Sequence, residues 1–530
     1  MSAQTTTRLA RRGAHTACID AARARSSKAT ATAIVSSHIV VGVAAMSSRR
    51  EWMREAAAIS AGMAVSWGDV FASIDTEPQA VHGYGPLRSD PNQVLDLPEG
   101  FSYRIISRAG DAMDDGLRVP GLADGMHAFT VGGQTVLLRN HELNVGARDH
   151  AFAEQGAIAN AIVAKLYDPR VGTGGTTTLV IADDGLTVRR QFLSLAGTLR
   201  NCAGGATPWG TWLSCEESVV RRGEHGALRD HGYAFEVPAA ALELIAARPL
   251  IAMGRFNREA VAVDPDTGIV YQSEDRRDGL FYRFVPHKRG QLSAGGRLQA
   301  MTIDGYAGHS TANHTAFAAH SGEQTPRLSA RVPMRVTWVE LDSVESADDD
   351  LRQRGRARGA TTFVRGEGLA VQRHEGRVCI WFVCTEGGAH GLGQLWRHQP
   401  GAGSAGRPVA TDTTILGAAM GDDGGTMELF LEPSQASMLR QGDNLAMAPN
   451  ADVLICEDQA DRQRLVGVTA TGGVYTLARN PRGDSELAGA CFANAGAQGL
   501  GKVLYLNIQS RGLTLAITGP WSRRNARPRL

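Results

Sequence analysis

The chain has 530 residues, with 55 Lys and Arg against 54 Asp and Glu and a formal net charge of +1. That balance excludes an electrostatic case for nucleic acid or an anionic membrane as partner, and no apolar run reaches the ~18 residues needed for stable membrane insertion. The 62 glycines, with many Val, Thr and Asp-Gly type turns, favour an all-β protein.

Residues 1–45 are rich in Ala, Arg, Ser and Thr and hold one acidic residue, Asp20. They read as a disordered or extraneous extension, with Met46 as the expected start. In 46–80, the paired Arg49-Arg50 of "SRREWM" precede an Ala-rich, mildly apolar run. This is similar to a twin-arginine (Tat) export signal, an address rather than a fold element, with cleavage expected after Ala72 or Ala80. A basic surface helix is the plainer alternative. From 81 to 520 the pattern is β without a Pro/Ser linker, and 521–530 form a basic tail. Helical signals are sparse, the clearest lying at 156–167 and in "PAAALELIAARPL" after Val237. Polar stretches near 218–230, 286–297 and 343–360 read as surface loops.

One pattern recurs through the β region: a turn, an apolar strand, then an acidic end. "GGQTVLLRNHE" ends at Glu142, "TPWGTWLSCEES" reaches Glu216 and Glu217, and "DPDTGIVYQSED" ends at Glu274 and Asp275. "GRVCIWFVCTEGG" reaches Glu386 and "PNADVLICED" ends at Glu457 and Asp458. A single such end is a solvated strand terminus. Five, most of them spaced by roughly 60 to 75 residues, suggest a device that gathers carboxylates. Propeller blades of ~40–50 residues, stretched by insertions, fit that loose period, and their inner strands line one channel. A β-sandwich would scatter the ends to two rims. Carboxylates pointed at one another must be metal-bound or protonated. Adjacent acids on an extended chain face opposite sides, so Glu216 and Glu217 serve different ions, or one stands behind the other.

The seven cysteines lack a CxxC and do not read as a disulfide framework. Cys379 and Cys384, on one predicted strand, should face opposite sides and not pair.

"NCAGGATPWGTWLSCEES" (201–218) closely resembles the core motif of PhoX-type alkaline phosphatases. The same holds, in order, for "GGTTTLVI" (174–181), "RNHE" (139–142), "MGRFNREAVAVDP" (253–265), "YQSEDRRDGLFYRFVP" (271–286), "RGEG" (365–368), "GQLW" (393–396) and "DNLAMAPNADVLICED" (443–458). The matches span roughly 110–510. The resemblance implies a six-bladed β-propeller with loop insertions, preceded by the Tat-like signal, that hydrolyses phosphate monoesters and releases inorganic phosphate. It implies a cluster of ferric iron (Fe3+) and calcium (Ca2+) at one mouth of the channel. Cys202 takes the place of the family's iron-bound thiolate. Glu142, Glu216, Glu217, Glu259, Glu274, Asp275, Asp278, Glu367 and Glu457 are the expected further ligands, with Asn140, His141, Asn201 and Asp458 behind them. Arg365 matches the family's phosphate-contacting arginine, and Arg365, Cys202, Glu216 and Glu274 are expected to carry catalysis.

The same resemblance implies small-molecule phosphomonoesters as substrates, the Tat-like signal implies the Tat translocation machinery as a partner and a periplasmic or secreted location, and a monomer is expected. The chain departs from the pattern in being short, in its additional Cys215 and Cys384, and in Glu386 where a small residue is expected; these bear on substrate range. Two other readings stand beside it. One is a calcium-dependent propeller lactonase or esterase in which Cys202 is dispensable. The other is a non-catalytic, calcium-stabilised propeller that binds a polymer or protein.

Overall fold

Alternating apolar runs between Gly, Pro and Asx turns become strands almost throughout the residues that the computed structural model describes, which are 83–155, 158–313, 327–401, 424–494 and 502–521. The strands form successive antiparallel meanders. The first comprises Ala123–Val131, Gln134–His141, Gly174–Ile181 and Val188–Thr198, and the second Asn201–Ala206, Thr211–Glu216 and Ala234–Pro238. The third runs Arg258–Val263, Val270–Glu274, Gly279–Pro286 and Gly296–Ile303. The strand Met334–Leu341 pairs on both sides and joins it to the fourth: Gly366–His374, Arg377–Cys384, Gln394–Gln399 and Thr426–Leu431. The fifth contains Gly442–Met447, Val453–Glu457, Arg464–Val468 and Val474–Arg479. The sixth has Leu487–Asn494, Lys502–Ile508 and Leu513–Thr518, and its outer edge is the early strand Ser102–Arg108.

The first strand of each meander packs against the first strand of the next, and Leu487–Asn494 packs against Ala123–Val131, which closes a ring. This is a propeller-like sheet arrangement. Pairing the early strand Ser102–Arg108 with the late strand Leu513–Thr518 removes an open edge. Aromatic rings reinforce that joint. Tyr84 donates its hydroxyl to the Trp521 carbonyl at 2.9 Å, and Phe101 and Phe492 meet the Trp521 ring edge-on at 4.8 and 5.0 Å.

Helix is scarce, as the composition suggests. The stretch 156–167 yields one helical turn, Asn160–Val163, and a second short helix spans Leu351–Ala357. The Ala-rich stretch after Val237 forms no helix. Its backbone is committed elsewhere: Ile245 N–H donates to the Ser194 carbonyl and Ala247 N–H to that of Lys165. Ile245 and Ala247 also pack on the apolar cluster containing Phe235 and Val237. Tertiary burial overrides a weak helical propensity here. The export-signal region 46–80 and nearly all of the basic tail lie outside the described residues.

The ring is tight because its inner strands carry small residues where they meet. A Cβ on Gly368 would stand 2.4 Å from the Asp443 carbonyl oxygen, and one on Gly125 would stand 2.6 Å from the Ala203 Cα. Gly489 adds a positive φ of 60° where its own Cβ would meet the Asp124 carbonyl at 2.2 Å. Gly368→Ala is therefore expected to lower stability by about 1–3 kcal/mol through overpacking, measured by urea denaturation. An unchanged midpoint would show that the ring yields at this junction.

Candidate metal centre

Every meander delivers the same local geometry to one end of the ring. The second residue of each inner strand lies at a shift of register against its neighbour, a β-bulge that re-aims side chains. In five meanders that residue carries a metal-ligating group: Asp124, Cys202, Glu259, Glu367 and Asp443. Two residues earlier stand Leu122, Arg200, Asn257, Arg365 and Gln441. Their carbonyls accept the N–H groups of Glu142, Glu217, Asp275, Thr385 and Asp458, at 2.9 to 3.1 Å. In the sixth meander Glu486 plays this part toward Gln509 N–H at 3.1 Å. Leu122, Arg200, Arg365 and Gln441 hold φ between 45° and 55°, so the turn is sharp and places the residue after each second strand beside the residue that opens the next bulge.

These positions converge. Ligand atoms of Asp124, Glu142 and Cys202 lie within 4.8 Å of one another, as do those of Cys202, Glu217 and Glu259, of Glu259, Glu367 and Asp443, and of Asp443, Asp458 and Glu486. Neighbouring groups share Cys202, Glu259 or Asp443, so they form an arc of adjoining sites. Cys202 Sγ donates to Glu259 Oε1 at 3.0 Å. Gln509 Nε2 bridges Asp124 Oδ2 and Glu142 Oε2 at 2.6 and 2.8 Å. Two guanidiniums reach the rim. Arg200 Nη2 donates to Glu142 Oε1 at 2.9 Å and Glu217 Oε2 at 2.6 Å. Arg365 forks onto both oxygens of Asp275 at 2.8 and 3.0 Å, and its Nη2 also reaches Glu367 Oε1 at 2.9 Å.

The remaining expected ligands are turned elsewhere by the same alternation. Glu216 is fully buried and accepts from His231 Nδ1 at 2.6 Å and from three backbone N–H groups. Burial alone would lower the His231 pKa, but Glu216 and Asp168 outweigh it and hold the imidazole above its ordinary value. Glu274 accepts from the Tyr282 hydroxyl at 2.7 Å, and burial pushes its carboxyl up to about 7 against the pull of Arg352. Asp278 is half-exposed and meets Arg352 at 2.9 Å. Glu457 accepts a two-pronged contact from Arg464 and a further bond from Gln459. Asp275 stands at the rim, held by Arg365. Glu386 pairs with Arg277, and Thr385 occupies the inward position of that meander. Of the residues expected behind the ligands, His141 binds the Gly121 carbonyl and Thr177, and Asn201 binds Thr198 and Ser214. Asp458 lies within the last group and Asn140 beneath Cys202.

Sequence reasoning passed over Asp124, Asp443, Glu486, Arg200 and Gln509. A signal was available: "DGM", "CAG", "EAV" and "EGL" each place an acid or thiol before Gly or Ala near the start of a strand, and "DNL" places an acid before Asn at the same point.

The donor set suits cations. Asp124, Glu142, Glu217, Glu259, Glu367 and Asp443 are buried carboxyls around a buried thiol, and ionised carboxylates so confined need positive charge. Oxygen-rich groups of this kind match hard divalent ions, and the thiol adds a ligand suited to a transition metal. Burial first, then the charges of Asp124, Glu259, Glu142 and Glu217, raise the Cys202 pKa well above that of an ordinary thiol. Coordination reverses that logic, because a metal-bound thiol is deprotonated.

A family model described as alkaline phosphatase PhoX matches residues 82–191 and 182–512. No curated protein sequence gives a significant match. Among solved structures, Pseudomonas fluorescens PhoX in complex with vanadate, a transition state analogue, is similar at a TM-score of 0.56, with 16% identity over 83% of this chain and 98% of that one. A gluconolactonase from Xanthomonas campestris (TM-score 0.35, 12% identity, 84% and 99% covered) and a calcium structure of a Trichoderma reesei enzyme of carbohydrate-active family AA12 (TM-score 0.38, 10% identity, 84% and 100% covered) are too distant to bear on the site. With the family match running through nearly all of the described strands, the chain belongs to the alkaline phosphatase PhoX family.

Proposed function

We propose that this chain is a phosphoric monoester hydrolase that acts outside the cytoplasm, and that its inner strands are those of a six-bladed propeller carrying iron and calcium. The observation that supports the reading most strongly is the convergence of Cys202 and the ring carboxylates at one mouth of the ring, in a member of the PhoX family. Cys202, Glu142, Glu217, Glu259, Glu367, Asp124 and Asp443 would hold the metals. When bound, the metals would supply Lewis-acid charge and lower the pKa of water.

The chain's own residues account for binding and orientation. Arg365 and Arg200 bring guanidinium donors to a rim otherwise rich in negative charge. Without them a phosphate dianion would be repelled. A guanidinium fork matches phosphoryl oxygens in plane and charge. Asp275 and Glu367 fix the plane of the Arg365 fork before substrate arrives, which reduces the ordering cost of binding. Glu216, Glu274 and Glu457 act one layer back as fixed acceptors that hold the loops on which Glu217, Asp275 and Asp458 stand. Substrates are small phosphomonoesters, and the protein works as a monomer after export by the Tat machinery.

Cys202→Ala is expected to lose iron while retaining calcium, and to lose p-nitrophenyl phosphate turnover with the iron, read by elemental analysis and an alkaline phosphatase assay. Calcium without iron in the parent protein, together with lactone turnover indifferent to Cys202, would favour a lactonase instead. Calcium-dependent thermal stabilisation with no turnover of either substrate would favour a binding module. Arg365→Lys keeps the charge but loses the fork, so KM for p-nitrophenyl phosphate should rise about tenfold or more, in line with the loss of a charge-assisted hydrogen bond. An unchanged KM would remove Arg365 from substrate binding. Replacing Arg49 and Arg50 together by Lys should leave the protein in the cytoplasm on cell fractionation, and continued export would contradict the Tat assignment.

A further inference from the structure

The thiol of Cys202 stands on the most irregular part of its strand, and one side chain from the preceding meander grips the backbone there. The ladder between Asn201–Ala206 and Thr211–Glu216 shifts register between Asn201 and Gly204. Asn140, one residue from the end of Gln134–His141, donates from Nδ2 to both carbonyls inside the shift, Cys202 at 3.1 Å and Ala203 at 2.7 Å. Its Oδ1 accepts from Trp212 Nε1 and Ser214 Oγ, both at 2.9 Å. Trp Nε1 can only donate and backbone carbonyls can only accept, so the orientation of the amide is determined. All four hydrogen-bonding positions of Asn140 are used, and the residue is fully buried. On its other side the bulge meets Gly125, whose missing Cβ would lie 2.9 Å from the Cys202 carbonyl oxygen.

The same device appears at two more junctions. Asn507 Nδ2 donates to the Asp124 carbonyl at 2.6 Å, and Ser273 Oγ to the Glu367 carbonyl at 2.5 Å. Each lies two residues before the inward-facing residue that follows its second strand (Gln509 and Asp275), as Asn140 lies two before Glu142. In each case the grip falls on the backbone of a residue whose side chain enters the metal centre, and crosses from one meander to the next.

We propose that Asn140 is a positioning residue for Cys202: by clamping the bulge across the junction it sets where the thiol stands relative to Asp124, Glu142, Glu217 and Glu259. The metal-facing part of this proposal rests on the reading of the site as a metal centre, whereas the clamp itself does not. An aliphatic residue at 140 would orphan two carbonyls and the Trp212 N–H. Aspartate would set one carboxylate oxygen against both carbonyls. Serine-to-alanine at 214 removes only one of the donors that hold Oδ1, and so loosens the clamp mildly.

Two measurements separate the clamp from the metal. In metal-stripped protein, alkylation of Cys202 by iodoacetamide, followed by mass spectrometry of its peptide, should speed up about tenfold or more in Asn140→Ala and less in Ser214→Ala, with Cys215 on the neighbouring strand still protected. Equal acceleration at Cys202 and Cys215 would mean general loosening, and no acceleration in a folded Asn140→Ala would mean that Asn140 only packs; either outcome overturns the proposal. Titration with Co2+ reads the second part through the sulfur-to-metal charge-transfer band. Wild type should show the band, Cys202→Ser should lack it, Asn140→Asp should shift it and weaken binding about 10- to 100-fold, the range for residues that orient metal ligands, and Ser214→Ala should shift and weaken it less. A band and affinity unchanged in both variants would overturn the proposal. A band absent from wild type, with Cys202 alkylation still governed by Asn140, would instead defeat the metal-centre reading and leave the clamp standing.

Discussion

Six buried carboxyls and a thiol gathered in overlapping groups, with ligand atoms in each group within 4.8 Å of one another, repel when ionised. At about 4 Å each like-charged pair costs about 4 kcal/mol at an effective dielectric constant of ~20, a large amount against the marginal stability of a folded domain. Their own charges do not keep them together. They stay because the ring beneath them does not expand: inner strands touch through Gly125, Gly368 and Gly489, and the bulge-and-turn unit is anchored by the same backbone hydrogen bond in every meander. Arg200, Arg365, Gln509 and Thr385 relieve part of the repulsion with donors. The residual demand for positive charge is what suits the mouth to cations.

The alternation of a strand divides labour between neighbouring acids. In the pairs Glu216-Glu217, Glu274-Asp275 and Glu457-Asp458, the first residue faces its own sheet and is held there by Tyr, His, Arg or backbone donors, and the second faces the mouth. A buried carboxylate with several fixed donors is a rigid post, and the loop that leaves it inherits that rigidity. The acids that stand away from the cluster are therefore part of how it is positioned.

Much of this was legible in the sequence, and the part that was not has a physical cause. The recurring strands and acidic ends announced β structure and a gathering of carboxylates, and Cys202, Glu142, Glu217, Glu259 and Glu367 do come together. The strand ends were easy to see but their inward residue was not, because a shift of one residue reverses the face; thus Glu216 and Glu274 lie behind Glu217 and Asp275, and Thr385 stands where Glu386 drew attention. Asp124 and Asp443 were passed over because a lone acid early in a strand looks like an ordinary turn residue until the bulge after it is known. The stretch after Val237 is helical by composition, yet Ser194 on the edge of the first meander and Lys165 claim two of its N–H groups, and no local pattern reports that.

The closure of the ring has a consequence for the order of assembly. Gln509 touches Asp124 and Glu142 across more than 360 positions of chain, and Ser102–Arg108 pairs, among the described strands, with Leu513–Thr518. Contacts of such sequence separation carry a large loop-closure cost and form late. During synthesis the first five meanders can emerge and pair locally while the Asp124–Glu142–Cys202 corner still lacks its neighbour. A chain broken off before residue 502 would thus be a mostly folded stack with an open side, a carboxylate corner lacking its amide bridge, and an exposed strand edge offered to other chains. Competence of the mouth is in this sense a readout of completeness, since the last strands made are the ones that finish the first group of ligands.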